Sequence, residues 1–341
     1  GTGPFVVTDF RPNDVFTAVA NENYREEGKP AFASVTFKGG GDATSAGRAV
    51  HETGEFDYAW NLQLAPDVLA NMAEAGMGEN VVAFGTSVER ILLNQTNVDP
   101  ALGDQRGVIG NPHPFLTDKA VRQAMSMAID RALLTEIGYG DFGRLTCNVL
   151  PAPAIFASSA NDSCLVQDIE GAKAVLGDAG WTDTNGNGFR DKDGIELSVL
   201  YQTSTNAVRQ DYQALIKQWW EEIGIETELR NIDASVFFGS DPGSDDTFQK
   251  FFADVEMFTN NFDGTDPESY MAGWTCDQAP QPSNQWQGNN MPRFCSEEYD
   301  ALRAEMAVTG DINERARLAK AMNDILMQEY IILPLTHRGR N

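Results

Sequence analysis

The stretch Ala253-Asp-Val255-Glu-Met257-Phe258-Thr-Asn260-Asn-Phe262-Asp263-Gly-Thr265-Asp266-Pro267-Glu268-Ser-Tyr270-Met-Ala-Gly-Trp274-Thr-Cys276 fixes how the rest of the chain is read. Val255, Met257 and Phe258 predict a short strand, and Asn260 to Thr265 a turn-rich loop. Asp266-Pro267-Glu268 has the composition of a helix start: a capping acid, a proline at the first helical position and an acid in the first turn. Tyr270 and Trp274, four apart, fall on one helical face. Carboxylates at a strand end, beside aromatic side chains, stand where α/β proteins bind ligands. The same composition also describes an ordinary capped turn.

With 341 residues, the chain is long enough for two domains with real cores. Its hydrophobic fraction, 42%, is that of a globular protein. No apolar run reaches the roughly 18 residues of a membrane helix. The chain starts at Gly1 without a visible signal peptide, as a processed chain or an excised fragment would. The net charge of −25 is spread along the sequence. That argues against nucleic-acid binding, which needs a basic footprint.

Four cysteines allow three pairings. Cys147 and Cys164 flank one Pro-rich loop, and Cys276 and Cys295 another. With no CxxC spacing, and with His51, His113 and His337 dispersed, a zinc site is not expected. Two loop-closing disulfides, 147–164 and 276–295, are the economical reading, each stabilising by about 3 kcal/mol and implying export. Four buried thiols in a cytosolic protein are the alternative.

Patterning predicts strands at 5–10, 15–19, 33–37, 56–60, 81–84 and 88–93, with helices at 43–53 and 68–75. Gly39-Gly40-Gly41 lacks the residues of a phosphate loop and reads as a turn. Asn- and Pro-rich residues 94–117 read as a linker. From Asp118 onward, Val121, Ala124, Met125, Ala128 and Ile129 make one helical stripe. Further helices are expected at 169–179, 206–223, 297–308 and 312–328. They alternate with strands near 197–202, 225–230, 253–258 and 331–335, as in a second α/β domain.

Asp183, Asn185, Asn187 and Asp191 occupy positions 1, 3, 5 and 9 of a twelve-residue calcium-like loop, with Gly188 at position 6 and the Phe189 carbonyl at position 7. Position 12 is Gly194 in place of a bidentate glutamate, so Asp193 or Glu196 would have to substitute. The loop reads either as a structural calcium site or as a polar hairpin that needs no metal.

Several stretches, in order along the chain, resemble the extracytoplasmic solute-binding proteins of peptide and nickel ABC importers (family 5). They are Gly1-Thr-Gly-Pro-Phe5, Asn23-Tyr24 with Gly28-Lys29-Pro30, Asp42-Ala43-Thr44 and Gly54-Glu55-Phe56-Asp57. Leu93-Asn94-Gln95 and Ile332-Leu-Pro334-Leu-Thr-His337-Arg338 continue the series. The most specific is Phe115-Leu-Thr-Asp118-Lys-Ala-Val121-Arg122-Gln123-Ala124 with Ala128-Ile129-Asp130-Arg131. The resemblance implies an α/β fold of the type II periplasmic-binding-protein kind, with two lobes and the first incomplete. Residues 1–93 would be partial lobe I, 94–117 the hinge, 118–335 lobe II, and 336–341 a return towards lobe I. It also implies a periplasmic or extracellular monomer, with a lipoprotein anchor in some members and an ABC permease as partner. Capture would need no catalysis and no cofactor. In peptide-binding members, the aspartate four residues before the loop proline holds the ligand's α-amino group; here that is Asp263. Arg209 stands where some members meet the ligand carboxylate, and Phe262, Tyr270 and Trp274 are candidate pocket residues. The Asn260-Asn261 pair departs from the family's usual Trp, which leaves a sugar or nickel complex as alternative solutes. A carboxylate-based hydrolase is the rival class, without a supporting motif.

Overall fold

The computed structural model describes residues 1–262 and 264–339. By its contacts the chain forms two compact units: Gly1–Leu62 with Met72–Glu79, and Gln63–Asn71 with the chain from Asn80 onward.

In the first unit, β1 (Phe5–Arg11), β2 (Val15–Ala20) and β3 (Ser34–Lys38) form an antiparallel sheet in that order. The register sets Phe10 opposite Phe16 and Phe16 opposite Phe37, so three rings form a row across one face. Helix α1 (Ala43–His51) starts where the Asp42 side chain accepts the Ser45 N–H. Helix α2 (Pro66–Ala73) has residues 66–71 in the second unit and 72–73 in the first. The strands expected at 56–60 and 81–84 do not form. Tyr58 and Trp60 alternate correctly but are exposed, and among the described residues no strand pairs with them.

The second unit is built on six strands. They are β4 (Val88–Leu93), β5 (Gly143–Leu145), β8 (Ser198–Ser204), β9 (Glu226–Ile232), β10 (Val255–Asn260) and β11 (Ile332–Arg338). The small hairpin β6 (Asp191–Lys192) and β7 (Ile195–Glu196) stands apart. The sheet order is β5-β11-β4-β10-β8-β9. β8 runs parallel to β9 and β10, whereas β4 is antiparallel to both its neighbours. Every residue of β4 is buried.

Helices α3 (Lys119–Met127), α4 (Arg131–Tyr139), α5 (Ile169–Asp178) and α6 (Ala207–Glu222) contribute to the core on one face of this sheet. The stripe read from the sequence is fully buried: Val121, Ala124, Met125, Ala128 and Ile129. Asp118, Asp168 and Asn206 accept backbone N–H groups at helix starts. Gly180 and Gly224, just past α5 and α6, take the left-handed conformation that ends a helix. Beyond α7 (Ala234–Phe237) and α8 (Glu268–Met271), helices α9 (Glu297–Val308) and α10 (Ile312–Gln328) surround a second core with Phe262, Trp274 and Ile332. Both expected disulfides, Cys147–Cys164 and Cys276–Cys295, are present.

Residues 94–117 lie inside the second unit and are packed, not extended. Asn94 Nδ2 donates to the carbonyls of Phe251 and Ala253. His113 Nδ1 accepts from two backbone N–H groups, so its Nε2–H faces Asp254 at 2.9 Å. Polar, Pro-rich composition describes such a loop as well as a linker, because its side chains satisfy neighbouring backbone.

Gly138, inside α4, yields a prediction. A Cβ there would stand 2.6 Å from Tyr212 Cε1 and 2.7 Å from its hydroxyl. Tyr212 is buried and hydrogen-bonded to Thr336. Helix propensity alone would make Gly138→Ala stabilising by ~1 kcal/mol. The clash should reverse that sign and cost about 1–3 kcal/mol in urea unfolding.

Candidate functional site

Strand β10 leads into the ligand-loop candidate, and α8 follows it. Asp263 lies outside the described residues. Its flanks are held firmly. The Phe262 N–H donates to Thr86 Oγ1 at 3.1 Å, and the same hydroxyl donates to the Phe262 carbonyl at 2.7 Å. On the far side, Asp266 accepts the Glu268 N–H at 3.0 Å, and both its oxygens accept from Arg315 Nη2 at 2.7 Å. These hydrogen bonds from Arg315 lead the lowering of the Asp266 pKa. Pro267 sits at the N-cap position, one residue earlier than the sequence implied, and α8 makes a single turn.

Tyr270 and Trp274 meet, as their four-residue spacing suggested, and Phe262 packs on Tyr270. Tyr270 lies edge-on to Trp274 at 4.6 Å and 5.5 Å from Phe262. Phe262 and Trp274 are buried. Tyr270 and Trp274, with Phe258, surround a side chain that the sequence reading passed over, Arg90 of β4. Its guanidinium lies 5.2 Å from the Trp274 ring centre, 5.5 Å from Phe258 and 5.9 Å from Tyr270. Its Nη1 donates to the Tyr270 hydroxyl. Burial raises the Tyr270 pKa, with Arg90 opposing.

Arg209 does not present itself to a ligand. Its Nε donates to Glu89 Oε1 at 2.8 Å and its Nη2 to Glu89 Oε2 at 3.3 Å, while Nη1 donates to Ser204 Oγ. Both residues are buried. Glu89 also accepts from Tyr139 at 3.2 Å and from Thr259. Burial by itself would raise the Glu89 pKa, but the charge and hydrogen bonds of Arg209 outweigh it and hold the carboxyl below its usual range. Glu256 of β10 goes the other way: burial pushes it well up, and Gln202, Arg293 and Arg90 offset only part of this. The signal for Glu89 and Arg90 was two adjacent opposite charges inside the otherwise apolar run Val88–Leu93.

The calcium-like loop is folded around its own oxygens. Asp183 accepts from the N–H groups of Gly186 and Gly188 at 2.7 and 2.9 Å. Asn185 and Asn187 accept from Asn187 N and Phe189 N, and Asp191 from Thr184. The amides of Asn185 and Asn187 donate to Glu196 at 3.4 and 2.6 Å. Among the described residues, no group of three or more His, Cys, Asp or Glu could hold a metal ion. No helix among them is long and apolar enough to cross a membrane.

The sequence profile of "Bacterial extracellular solute-binding proteins, family 5 Middle" matches residues 1–288. The chain belongs to this family. This family 5 chain is 26% identical to Heme-binding protein A of Haemophilus influenzae, over 99% of its own length and 54% of that protein. It is 27% identical to the Oligopeptide-binding protein AppA of Bacillus subtilis, over 69% of its own length and 40% of AppA. It thus spans about half the length of these curated relatives. Two solved structures share its fold. AppA of Bacillus subtilis with a nonapeptide superposes with a TM-score of 0.79 at 20% identity, covering 99% of this chain and 61% of that one. The oligopeptide-binding protein of Thermus thermophilus with a pentapeptide gives 0.80 at 21%, covering 99% and 57%. The fold is mixed α/β of the type II periplasmic-binding-protein kind, as expected from the sequence.

Two stability predictions follow from the carboxyls of this family 5 chain. Arg209→Met would leave Glu89 buried without its cation, at a cost of about 3–5 kcal/mol at pH 7. Because Arg209 depresses the Glu89 pKa, that stabilisation is present above the ordinary carboxylate range and is lost as pH falls through the folded value. The variant and the parent should therefore converge in urea midpoint in acid; an equal gap at all pH values would assign the loss to packing. Glu256 has a raised pKa, so its contribution is present at low pH and lost as pH rises above the ordinary carboxylate range. Glu256→Gln should gain on the parent with rising pH, and a gap independent of pH would count against a neutral Glu256.

Proposed function

We propose that this chain is the larger part of the solute-binding component of an ABC importer. It captures short peptides between two lobes and delivers them to a membrane permease, without chemistry. The observation that carries this reading is the Phe262–Glu268 segment. It leaves the sheet at the end of a strand and is tied at both described flanks, in a chain of family 5. Asp263 is assigned to the ligand's α-amino group, where a carboxylate accepts several charge-assisted bonds. Phe262, Tyr270 and Trp274 are assigned to the wall beneath it. Arg209 is assigned to holding Glu89, so the ligand's carboxylate must find another partner. In the longer protein, residues 1–93 would belong to lobe I, 94–117 to the hinge, 118–335 to lobe II, and 336–341 would return towards lobe I. The mature protein would act as a monomer on the periplasmic or extracellular side, either free or held by a lipoprotein anchor.

A second reading keeps the scaffold and changes the solute. The match to Heme-binding protein A over 99% of the chain favours it. Thermal-shift screening of the full-length mature protein against peptides, sugars and metal complexes separates the two. Peptides should raise Tm, and Asp263→Asn should abolish that rise. A shift with a sugar or metal complex alone would discard the peptide.

The 183–191 loop is proposed as a structural calcium site, with Asp183, Asn185, Asn187, Asp191 and the Phe189 carbonyl as ligands. Calcium should raise Tm without changing peptide affinity; no rise in the parent, or an equal rise in Asp183→Ala, would leave a hairpin that needs no metal.

A further inference from the structure

Register places a set of polar side chains on one face of the second unit's sheet. Phe258 pairs with Arg90, and Glu256 pairs with both Leu92 and Gln202. Alternation therefore sends Arg90, Leu92, Glu256, Phe258 and Gln202 to the same side. Tyr270 and Trp274 pack against Arg90 there, and Met291 packs with Leu92 and Phe258. Asn290 Nδ2 donates to the Trp274 carbonyl, which joins the two covering segments.

Several buried polar atoms of this floor and its cover have no hydrogen-bond partner among the described residues. The donors are Arg90 Nε and Nη2 and Trp274 Nε1. The acceptors are Glu256 Oε1, Gln202 Oε1 and Asn290 Oδ1. Arg90, Glu256, Gln202 and Asn290 are wholly buried, and Trp274 is 3% exposed. Glu256 feels the charges of Arg90 and Arg293, yet among the described residues no ion pair joins it to either. Its direct partner is Gln202, at 3.2 Å. Arg293 is caged instead by the carbonyls of Pro280, Lys250 and Met291 and by Asn94 Oδ1.

An orphaned buried polar group costs about 1–3 kcal/mol, more if charged. A fold that left all of these unmet would be heavily penalised. Donors and acceptors are both present, at positions too far apart to meet directly. A bound anion would answer the arginine but would be repelled by the three acceptors. A bound cation would answer the acceptors but would face the guanidinium. Water alone answers both, since one molecule donates and accepts and makes about three hydrogen bonds in such a site.

We propose that the space between β4, β10 and the 270–291 cover is an internal water site, in which ordered water bridges the Arg90 guanidinium to the Glu256 carboxyl. The bridge gives Arg90 its missing acceptors and so fixes the donor that holds Tyr270. Arg90 is thereby a positioning residue beneath the ligand-loop candidate.

The test is a crystal structure of the full-length mature protein at a resolution that shows ordered solvent. At least one water is expected within hydrogen-bonding distance of Arg90 Nε or Nη2 and linked, directly or through a second water, to Glu256 Oε1. Direct contact between Arg90 and Glu256 would overturn the inference. So would an empty space, or a chloride or carboxylate on Arg90. Glu256→Gln, which keeps an acceptor, should retain the water, and Glu256→Leu should lose it. Retention in Glu256→Leu would show that Glu256 plays no part in the bridge.

Discussion

Strand β4 is buried on both faces, yet it carries two formal charges in succession. Strand period sends Glu89 to one face and Arg90 to the other, so neither can neutralise its neighbour. Each needs its own solution. Glu89 receives Arg209 from α6, with Tyr139 and Thr259 as further donors. Arg90 receives three aromatic rings and the Tyr270 hydroxyl. A buried pair of this kind is worth little net against a well-packed apolar substitute, while breaking it is costly. Its larger effect is on register. Sliding β4 by one residue would place a carboxylate in the aromatic box and a guanidinium against Arg209. The charges thus help fix how β4 sits between β10 and β11.

Most helices were legible because their signals are local. Ser296 and Asp311 accept backbone N–H groups at the starts of α9 and α10, and both helices have the limits read from the sequence. The runs at 198–204 and 226–232 were legible as strands for the same reason. Pairing was not, because it depends on partners far away. Residues 56–60 have the alternation of a strand and find no ladder. Composition at 94–117 reports irregular backbone and does not distinguish a segment that packs from one that spans a gap.

Legibility of the site follows the same rule. The Tyr270–Trp274 contact is a four-residue spacing and was visible. What the pair packs on, Arg90, is 180 residues from Tyr270. Arg209 was placed by a resemblance, which says nothing of its counter-ion Glu89, 120 residues away. A helix arginine looks free until the sheet beneath it is known. The cysteine pairs were legible because each brackets one loop, with separations of 17 and 19 residues.

These long-range contacts matter for the loop between β10 and α8. Thr86 grips both the N–H and the carbonyl of Phe262, and Arg315 grips both oxygens of Asp266. Residues on either side of Asp263 are therefore anchored to β4's approach and to α10, two elements of the same unit. Arg315 is also held internally, by the carbonyls of Met306 and Thr309. The exit anchor is thus fixed by the α9–α10 turn and not by the loop it serves. Rigid elements hold both flanks, so the placement of the flanks depends on the frame of the unit and not on the residues between them.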